Sequence, residues 1–382
     1  MTKAPIKTET NRLLYHQNNS VTGITLVCFC GIHGNEPAGF YGVQKVINEL
    51  IDKQVVFNGN FYALLGNVKA INSCVRFHDL DLNRLWSKED IDRLKGNSEQ
   101  TALEKDEQSA LYSEIKSIFD AHNGPFVFID LHTTSSPTVP FITISDSLNN
   151  RSLAKKFNVP IVLGIEEFID GPLLTYLNEF GHISLGFEAG QHQDKKSIVH
   201  SEAFVWLIMK QLGLLKESDF QFEKFHKILN FDNGFFEIIY RYSPENIERF
   251  EMLPGFNNFD AIIIDQEIAQ YKNTLVRSKY NGLIFMPMYQ KKGEDGFFIV
   301  NKISTIWLFL SSILRGLKFH ELLRILPGIK RHPENEYSLI ANKQIAFLLT
   351  TKVFHLFGYR KKIKTGKKIH FIKRDRKVST FI

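Results

Sequence analysis

The sequence predicts an α/β fold, with a mixed, largely parallel sheet flanked by helices, a smaller β-rich C-terminal domain and a helical, basic tail. Three observations point to it. Apolar runs of strand length alternate with helical stretches up to residue 214, the order expected of a parallel sheet. From 215 to 303, β-type runs follow one another with turns and few helices. From 304 the pattern becomes helical and then strongly basic, so the chain divides into segments 1–214, 215–303 and 304–382.

Taken in order, "GITLVCFCG" (23–31) reads as a buried strand closed by glycine. "PAGFYGVQKVINELID" (37–52) follows as a helix, with Pro37 suited to its first turn. "NFYALLGN" (60–67) is a second strand, 99–122 a helix, and "PFVFIDLH" (125–132) a third strand. "FITISD" (141–146), "IVLG" (161–164) and "HISLGFEAG" (182–190) continue the series, with helices near 150–157, 172–180 and 195–213. Beyond them "GFFEIIYRYS", "DAIIIDQ" and "NGLIFMPMY" are β-type. "STIWLFLSSILRGLKFHELLRIL" (304–326) reads as one amphipathic helix broken by Pro327-Gly328.

An apolar content of 43% suffices for a real core. No apolar run reaches the roughly 20 residues of a membrane span, and "MTKAPIKTETNR" lacks the apolar core of a secretory signal. Cys28, Cys30 and Cys74 are an odd count and read as free thiols in a reducing compartment, so a cytoplasmic protein is expected. Strand alternation is taken to send Cys28 and Cys30 to opposite faces. Of the net charge of +6, a local +9 comes from Arg360 to Lys377, so the basic balance belongs to the tail. That run, "GYRKKIKTGKKIHFIKRDRK", reads as a solvated end; contact with nucleic acid or an anionic membrane surface is the disfavoured reading. The oligomeric state is left open, a homo-oligomer included.

The chemistry concentrates where predicted strands end. In "CFCGIHGNEPAG" (28–39), His33 and Glu36 stand three apart among glycines. A His-x-x-Glu pair arises by chance in a chain of this composition, so its position carries the argument. Ligands bind at the carboxyl ends of the strands in open α/β sheets. "FVFIDLHTTSS" sets His132 at a second strand end, and two histidines with a carboxylate are the three-ligand set of a catalytic zinc. Asp130 is placed to orient an imidazole. "SLGFEAGQH" offers Glu188 at a third strand end as the base that a metal-bound water needs. In "CVRFHDLDLNRLW", Arg76, Asn83 and Arg84 supply cations and an amide for a carboxylate or an oxyanion.

The stretches "GIHGNEPAG", "VRFHDLDLNR", "DLHTTSS" and "GFEAGQH" resemble, in order and spacing, four signatures of the succinylglutamate desuccinylase/aspartoacylase family, a branch of the zinc carboxypeptidase-like fold. The resemblance implies one Zn2+ per chain on His33, Glu36 and His132, with Glu188 as general base and acid. It implies that Arg76 polarises the scissile carbonyl and that Asn83 and Arg84 bind a substrate carboxylate. It further implies that a tyrosine of the C-terminal domain, Tyr289 in "MPMYQKKGEDGF", reaches the site. The implied reaction is hydrolysis of a small anionic N-acyl amino acid to an amino acid and a carboxylic acid.

One departure stands out. Family members of the aspartoacylase type carry another substrate-binding arginine some way before the base, whereas here "LNEFGHISLGFEAG" has Asn178 near that place and no arginine. N-acetylaspartate and N-succinylglutamate are thereby put in doubt. Two alternatives stay open: a carboxypeptidase-like hydrolase of a peptide or other amide, and an inactive zinc-binding relative. The joint presence of ligands, base and arginine argues against the second.

Overall fold

The structure, a computed structural model, describes residues 11–96, 101–342, 351–365 and 368–379. The strands up to residue 242 are β1 (Leu13–Asn18), β2 (Thr25–Cys30), β3 (Asn60–Leu65), β4 (Phe126–Thr134), β5 (Phe141–Ile144), β6 (Asn158–Leu163), β7 (Ile183–Gln191) and β8 (Asn230–Tyr242). Those that follow are β9 (Phe250–Met252), β10 (Ala261–Ile262), β11 (Glu267–Tyr271), β12 (Thr274–Arg277), β13 (Gly282–Phe285) and β14 (Phe297–Lys302). The helices over the same span are α1 (Ala38–Asp52), α2 (Val68–Ser73), α3 (Lys88–Lys95), α4 (Leu103–Ala121), α5 (Leu148–Ala154), α6 (Leu173–Glu179), α7 (Lys196–Gln211) and α8 (Phe222–Ile228). The helix expected over 99–122 is α4; its first expected positions, 99 and 100, lie outside the described residues.

Among the described residues, eleven strands form one sheet in the order β1-β3-β2-β4-β7-β5-β6-β8-β14-β13-β10. Its centre, β3-β2-β4-β7, is parallel, and so is β5-β6-β8. The junction of β5 with β7 and the strands from β8 outward to β10 are antiparallel, which makes the sheet mixed. Every residue of β2, β3 and β4 is buried, which is why these strands read as unbroken apolar runs rather than alternating ones. Leu26 of β2 packs toward α1 and α7, and Val27 and Phe29 pack toward α4 and α6. Cys28 and Cys30, expected on opposite faces, share the first of these cores. A strand's two-residue period returns to the same face after two positions. All three cysteines are free.

The main sheet runs on across residue 214, because β8 pairs with β6 and carries β14, β13 and β10 beyond it. The β-rich segment adds a separate three-stranded sheet, β12-β11-β9, on its own apolar core.

After residue 303 the expected helix 304–326 divides. The helix α9 (Thr305–Gly316) ends where Lys318 takes a left-handed conformation (φ 57°), and a 3₁₀ turn, Phe319–Ile325, follows. The basic tail then forms, with a short helix α10 (Thr351–Leu356), strands β15 (Ile329–Arg331), β16 (Ser338–Asn342), β17 (Tyr359–Thr365) and β18 (Lys368–Lys373). These pair in the order β15-β16-β18-β17, an antiparallel sheet absent from the sequence reading. In "KIHFIK" Ile369 and Phe371 alternate with Lys368 and His370 at the strand period until Ile372 breaks it, a short signal that the charge of the segment obscures. Nor is the run a solvated face throughout, since Arg360 and Arg374 are 3% and 1% exposed. Among the described residues no helix is long and apolar enough to cross a membrane.

Candidate active site

The site lies at the carboxyl ends of the parallel strands β2, β4 and β7, where the sequence placed its chemistry. After β2 the chain turns at Gly31 (φ +67°), a conformation that a side chain would strain. Gly34 then presses on α2 so closely that a Cβ would meet the Ala70 backbone at 2.1 Å. This tight loop fixes His33 and Glu36. The strand register sets His132 directly beside Glu188 on adjacent parallel strands, so both project to the same side of the sheet.

The His33 Nδ1 lies 2.9 Å from Glu36 Oε1, and the His132 Nδ1 lies 3.0 Å from Glu36 Oε2. The Thr133 backbone N–H donates to the same carboxylate at 3.0 Å. Each imidazole has its other nitrogen on a second carboxylate: His33 Nε2 is 3.0 Å from Asp81 and His132 Nε2 is 2.7 Å from Asp130. With Nε2 of each ring donating outward, both Nδ1 lone pairs converge on the Glu36 oxygens, an arrangement of acceptors that suits a cation. His33, Glu36 and His132 are buried, offer ligand atoms within 4.8 Å of one another, and can hold a metal ion.

Arg76 bridges this group, with one guanidinium nitrogen 3.2 Å from Glu36 and another 3.3 Å from Asp81. Burial would raise the Glu36 carboxyl, but His33 and His132 outweigh it and hold it well below the ordinary range. Asp81 is likewise held low, burial being outweighed by His33 and Arg76. Glu188 goes the other way. Its pKa is pushed up to about 8, first by burial and then by Glu36 and Asp130, against the opposing pull of His132 and Arg76. Its Oε2 is buried without a hydrogen-bond partner.

Asn83 and Arg84 line the same cavity. The Asn83 carbonyl oxygen accepts from the Leu173 N–H at 3.0 Å, which leaves its NH2 for a ligand. The Arg84 Nε is 3.5 Å from Glu294 and makes no hydrogen bond. Tyr289, expected at the substrate, does not line the cavity: its hydroxyl donates to the Leu253 carbonyl at 2.9 Å and accepts from the Phe256 N–H at 3.1 Å. The next residue, Gln290, reaches in instead, 3.2 Å from the His192 Nε2. Asn178 stays outside the cavity, and its NH2 donates to the His182 carbonyl.

Two residues that the sequence reading left without a role shape the site. The Glu104 carboxylate on α4 accepts from the N–H groups of His78, Asp79 and Leu80 at 2.7, 3.0 and 3.1 Å, tying down the loop that carries Arg76, Asn83 and Arg84. His192 has its Nδ1 2.7 Å from the Thr133 hydroxyl. His192 stood within a quoted signature, whereas nothing local distinguished Glu104 from the other acids of its helix.

From Glu188 the cavity follows β7 backward past Gly186 to Ser184, about 13 Å for four residues at strand rise. Gly186 keeps this path open, since a Cβ there would lie 2.5 Å from the Thr143 hydroxyl. Around this arm stand Thr143, Ser145, Thr175 and Ser184 with Ile144, Ile165 and Leu174, none of them charged, and Asp130 stands beside Gly186 in the register of β4 and β7.

Residues 22–203 match the family model of the succinylglutamate desuccinylase/aspartoacylase catalytic domain. A succinylglutamate desuccinylase of Shewanella pealeana is 35% identical over 112 residues, which are 28% of this chain and 31% of that protein. The chain thus matches about a third of the length of that curated relative. The crystal structure of a succinylglutamate desuccinylase from Vibrio cholerae superposes with a TM-score of 0.58 at 16% identity, covering 75% of this chain and 83% of that one. A product-bound ectoine utilization protein from Ruegeria pomeroyi gives 0.55 at 16%, covering 76% and 88%. At such identities these structures attest the fold. The matched stretch lies over all four signatures, so residues 22–203 are similar to the catalytic domain of the succinylglutamate desuccinylase/aspartoacylase family.

Proposed function

We propose that the protein is a zinc-dependent hydrolase of the amide bond of an N-acyl amino acid. The observation that carries the reading is the buried His33–Glu36–His132 group facing Glu188, with its unpartnered oxygen, across one open cavity. A bound zinc ion would supply Lewis acidity toward the scissile carbonyl and acidify a water. Asp81 and Asp130 hold the two imidazoles in the tautomer that points Nδ1 inward. Glu188 takes the proton of the attacking water and passes it to the leaving amine. Arg76 donates to the carbonyl oxygen as negative charge develops there, while Arg84 and the Asn83 NH2 hold a substrate carboxylate.

The arm along β7 bears on the substrate class. It offers hydroxyls and aliphatic groups and no cation, so a second substrate carboxylate would be buried there unpaired, at a cost of several kcal/mol. The favoured substrate is therefore an N-acyl amino acid with one carboxylate and an uncharged second arm. The test is hydrolysis by zinc-loaded protein of N-acetyl-leucine and N-acetyl-methionine beside N-acetylaspartate and N-succinylglutamate. We expect kcat/KM at least about tenfold higher for the neutral pair. Higher values for the dicarboxylates would overturn the substrate class, and no turnover of any of the four by zinc-loaded protein would overturn the deacylase reading.

A further inference from the structure

In α9 the residues facing the body are Leu308, Ser311 and Arg315, and two of the three are polar. Ser311 donates to the Leu356 carbonyl at 2.8 Å, and Arg315 is held by Asp146 and by Asp375, the latter at 2.8 Å. These contacts pin the rotation of the helix. On the opposite side Ile306, Phe309, Ile313 and Leu317, spaced by three and four, are 73%, 67%, 40% and 64% exposed. Trp307 beside them is 58% exposed, and Leu322 and Ile325 extend the surface through the 3₁₀ turn. An amphipathic helix ordinarily turns its apolar stripe to the core; this one turns it outward, and a continuous apolar surface of that kind marks an interaction site.

We propose that this face docks on an anionic lipid surface. Residues 302–332 contain Lys302, Arg315, Lys318, Arg324, Lys330 and Arg331 against Glu321 as the sole acid. Lys302, Lys318, Lys330 and Arg331 are exposed, Lys318 directly after the helix, whereas Arg315 is buried against Asp146 and Asp375 and Arg324 pairs with Glu321. A second copy of the chain packed on this face would bring its own basic rim against the first, so charge argues against self-association. Anionic headgroups complement the rim, the aromatic Trp307 and Phe309 suit the boundary between headgroups and acyl chains, and the aliphatic stripe suits the shallow apolar layer. A helix of 12 residues is too short to span a bilayer and long enough to lie in its plane. The hydrolase reading plays no part in this inference.

The full chain is mixed with vesicles of phosphatidylcholine, with and without phosphatidylglycerol, and followed by co-sedimentation and by tryptophan fluorescence. Trp86 and Trp206 are buried, so an emission shift on adding vesicles reports Trp307. Expected are co-sedimentation and a blue shift with the anionic vesicles only, both weakened by salt. In Trp307→Ser/Phe309→Ser/Ile313→Ser the bound fraction falls at least about tenfold, with the far-ultraviolet spectrum unchanged. The fluorescence shift tests the unsubstituted chain should that variant fail to fold. Equal binding to both vesicle types overturns the proposal, as does no binding at low salt. A dimer that the triple substitution turns into a monomer gives the face to a second copy. A monomer that ignores vesicles leaves it to a protein partner, and either result overturns the lipid assignment.

Discussion

At Glu36 and at Asp146 the fold buries two clusters of charge, and it finishes them differently. Around Glu36 the carboxylates of Asp81 and Asp130, two imidazoles and Arg76 meet at the edge of a cavity, and Glu188 faces them with an oxygen that nothing satisfies. Around Asp146 the guanidiniums of Arg151, Arg315 and Arg360 close on a single carboxylate, Arg360 reaching it at 2.7 Å and Arg315 at 3.2 Å. Arg360 continues to Glu237 at 3.2 Å and to Glu167, and His355 adds 3.1 Å to Glu167. None of these side chains lines the cavity. The difference separates two uses of buried charge. A cluster built to react leaves valences open toward a ligand, at a cost in stability; a cluster built to hold segments together pairs them with one another.

The sharpest way to break this comparison is to remove one group from the open cluster at a time. His132→Ala should lose both bound zinc and turnover, because it deletes a ligand. Glu188→Gln should keep zinc at the wild-type ratio while kcat falls by about 10²–10⁴-fold, the usual worth of a general base. Elemental analysis after gel filtration, set beside an assay on the best N-acyl amino acid, reads both. A Glu188→Gln protein with wild-type turnover would remove the base assignment and leave the metal group standing.

The closed cluster should answer in stability instead. Asp146→Asn leaves three buried guanidiniums without their shared counter-charge, and breaking a buried pair in this way costs about 3–5 kcal/mol. The expected result is a fall in the denaturant midpoint with zinc content retained in the folded protein. A loss as small as that of a surface ion pair, about 0–1 kcal/mol, would mean that the cluster relaxes and that the extension is held by its apolar contacts.

The two clusters also differ in how far the sequence disclosed them. His33 with Glu36 and Asp130 with His132 each lie within one short stretch at a strand end, and Arg76 with Asn83 and Arg84 lie within one looped stretch after α2, so local spacing pointed to them. The Asp146 cluster draws on positions 151, 167, 237, 315, 355 and 360, which no local pattern connects. Arg360 therefore read as one of many solvated bases in a charged tail, though it is 3% exposed. The α/β alternation was legible because fully buried strands write their burial as unbroken apolar runs. The tail sheet was not, because its alternation runs through lysines. Tyr289 and Gln290 show the finest limit: a motif brings a segment to the cavity, but backbone geometry decides which of two neighbours points in.

The smallest effect expected concerns the rim of the closed cluster and is read against pH. Burial would raise the Glu237 carboxyl from its ordinary 4.5, but His355 and Arg360 outweigh burial and bring it down to about 2. A carboxyl depressed by folding contributes stability that is fully present above its unfolded pKa and is lost as the pH falls through the folded one. Glu237 is 25% exposed, so solvent screens part of this and leaves roughly 2 kcal/mol at neutral pH. Glu237→Gln should thus be less stable than wild type at pH 7 by about that amount. The gap should narrow below about pH 4.5 and close toward pH 2, as the wild-type carboxyl takes up its proton and loses its advantage over the amide. Urea unfolding of both proteins at a series of pH values measures the gap directly. A gap that stays constant down to pH 2 would show that Glu237 acts through shape rather than charge, and the closed cluster would then end at Glu167.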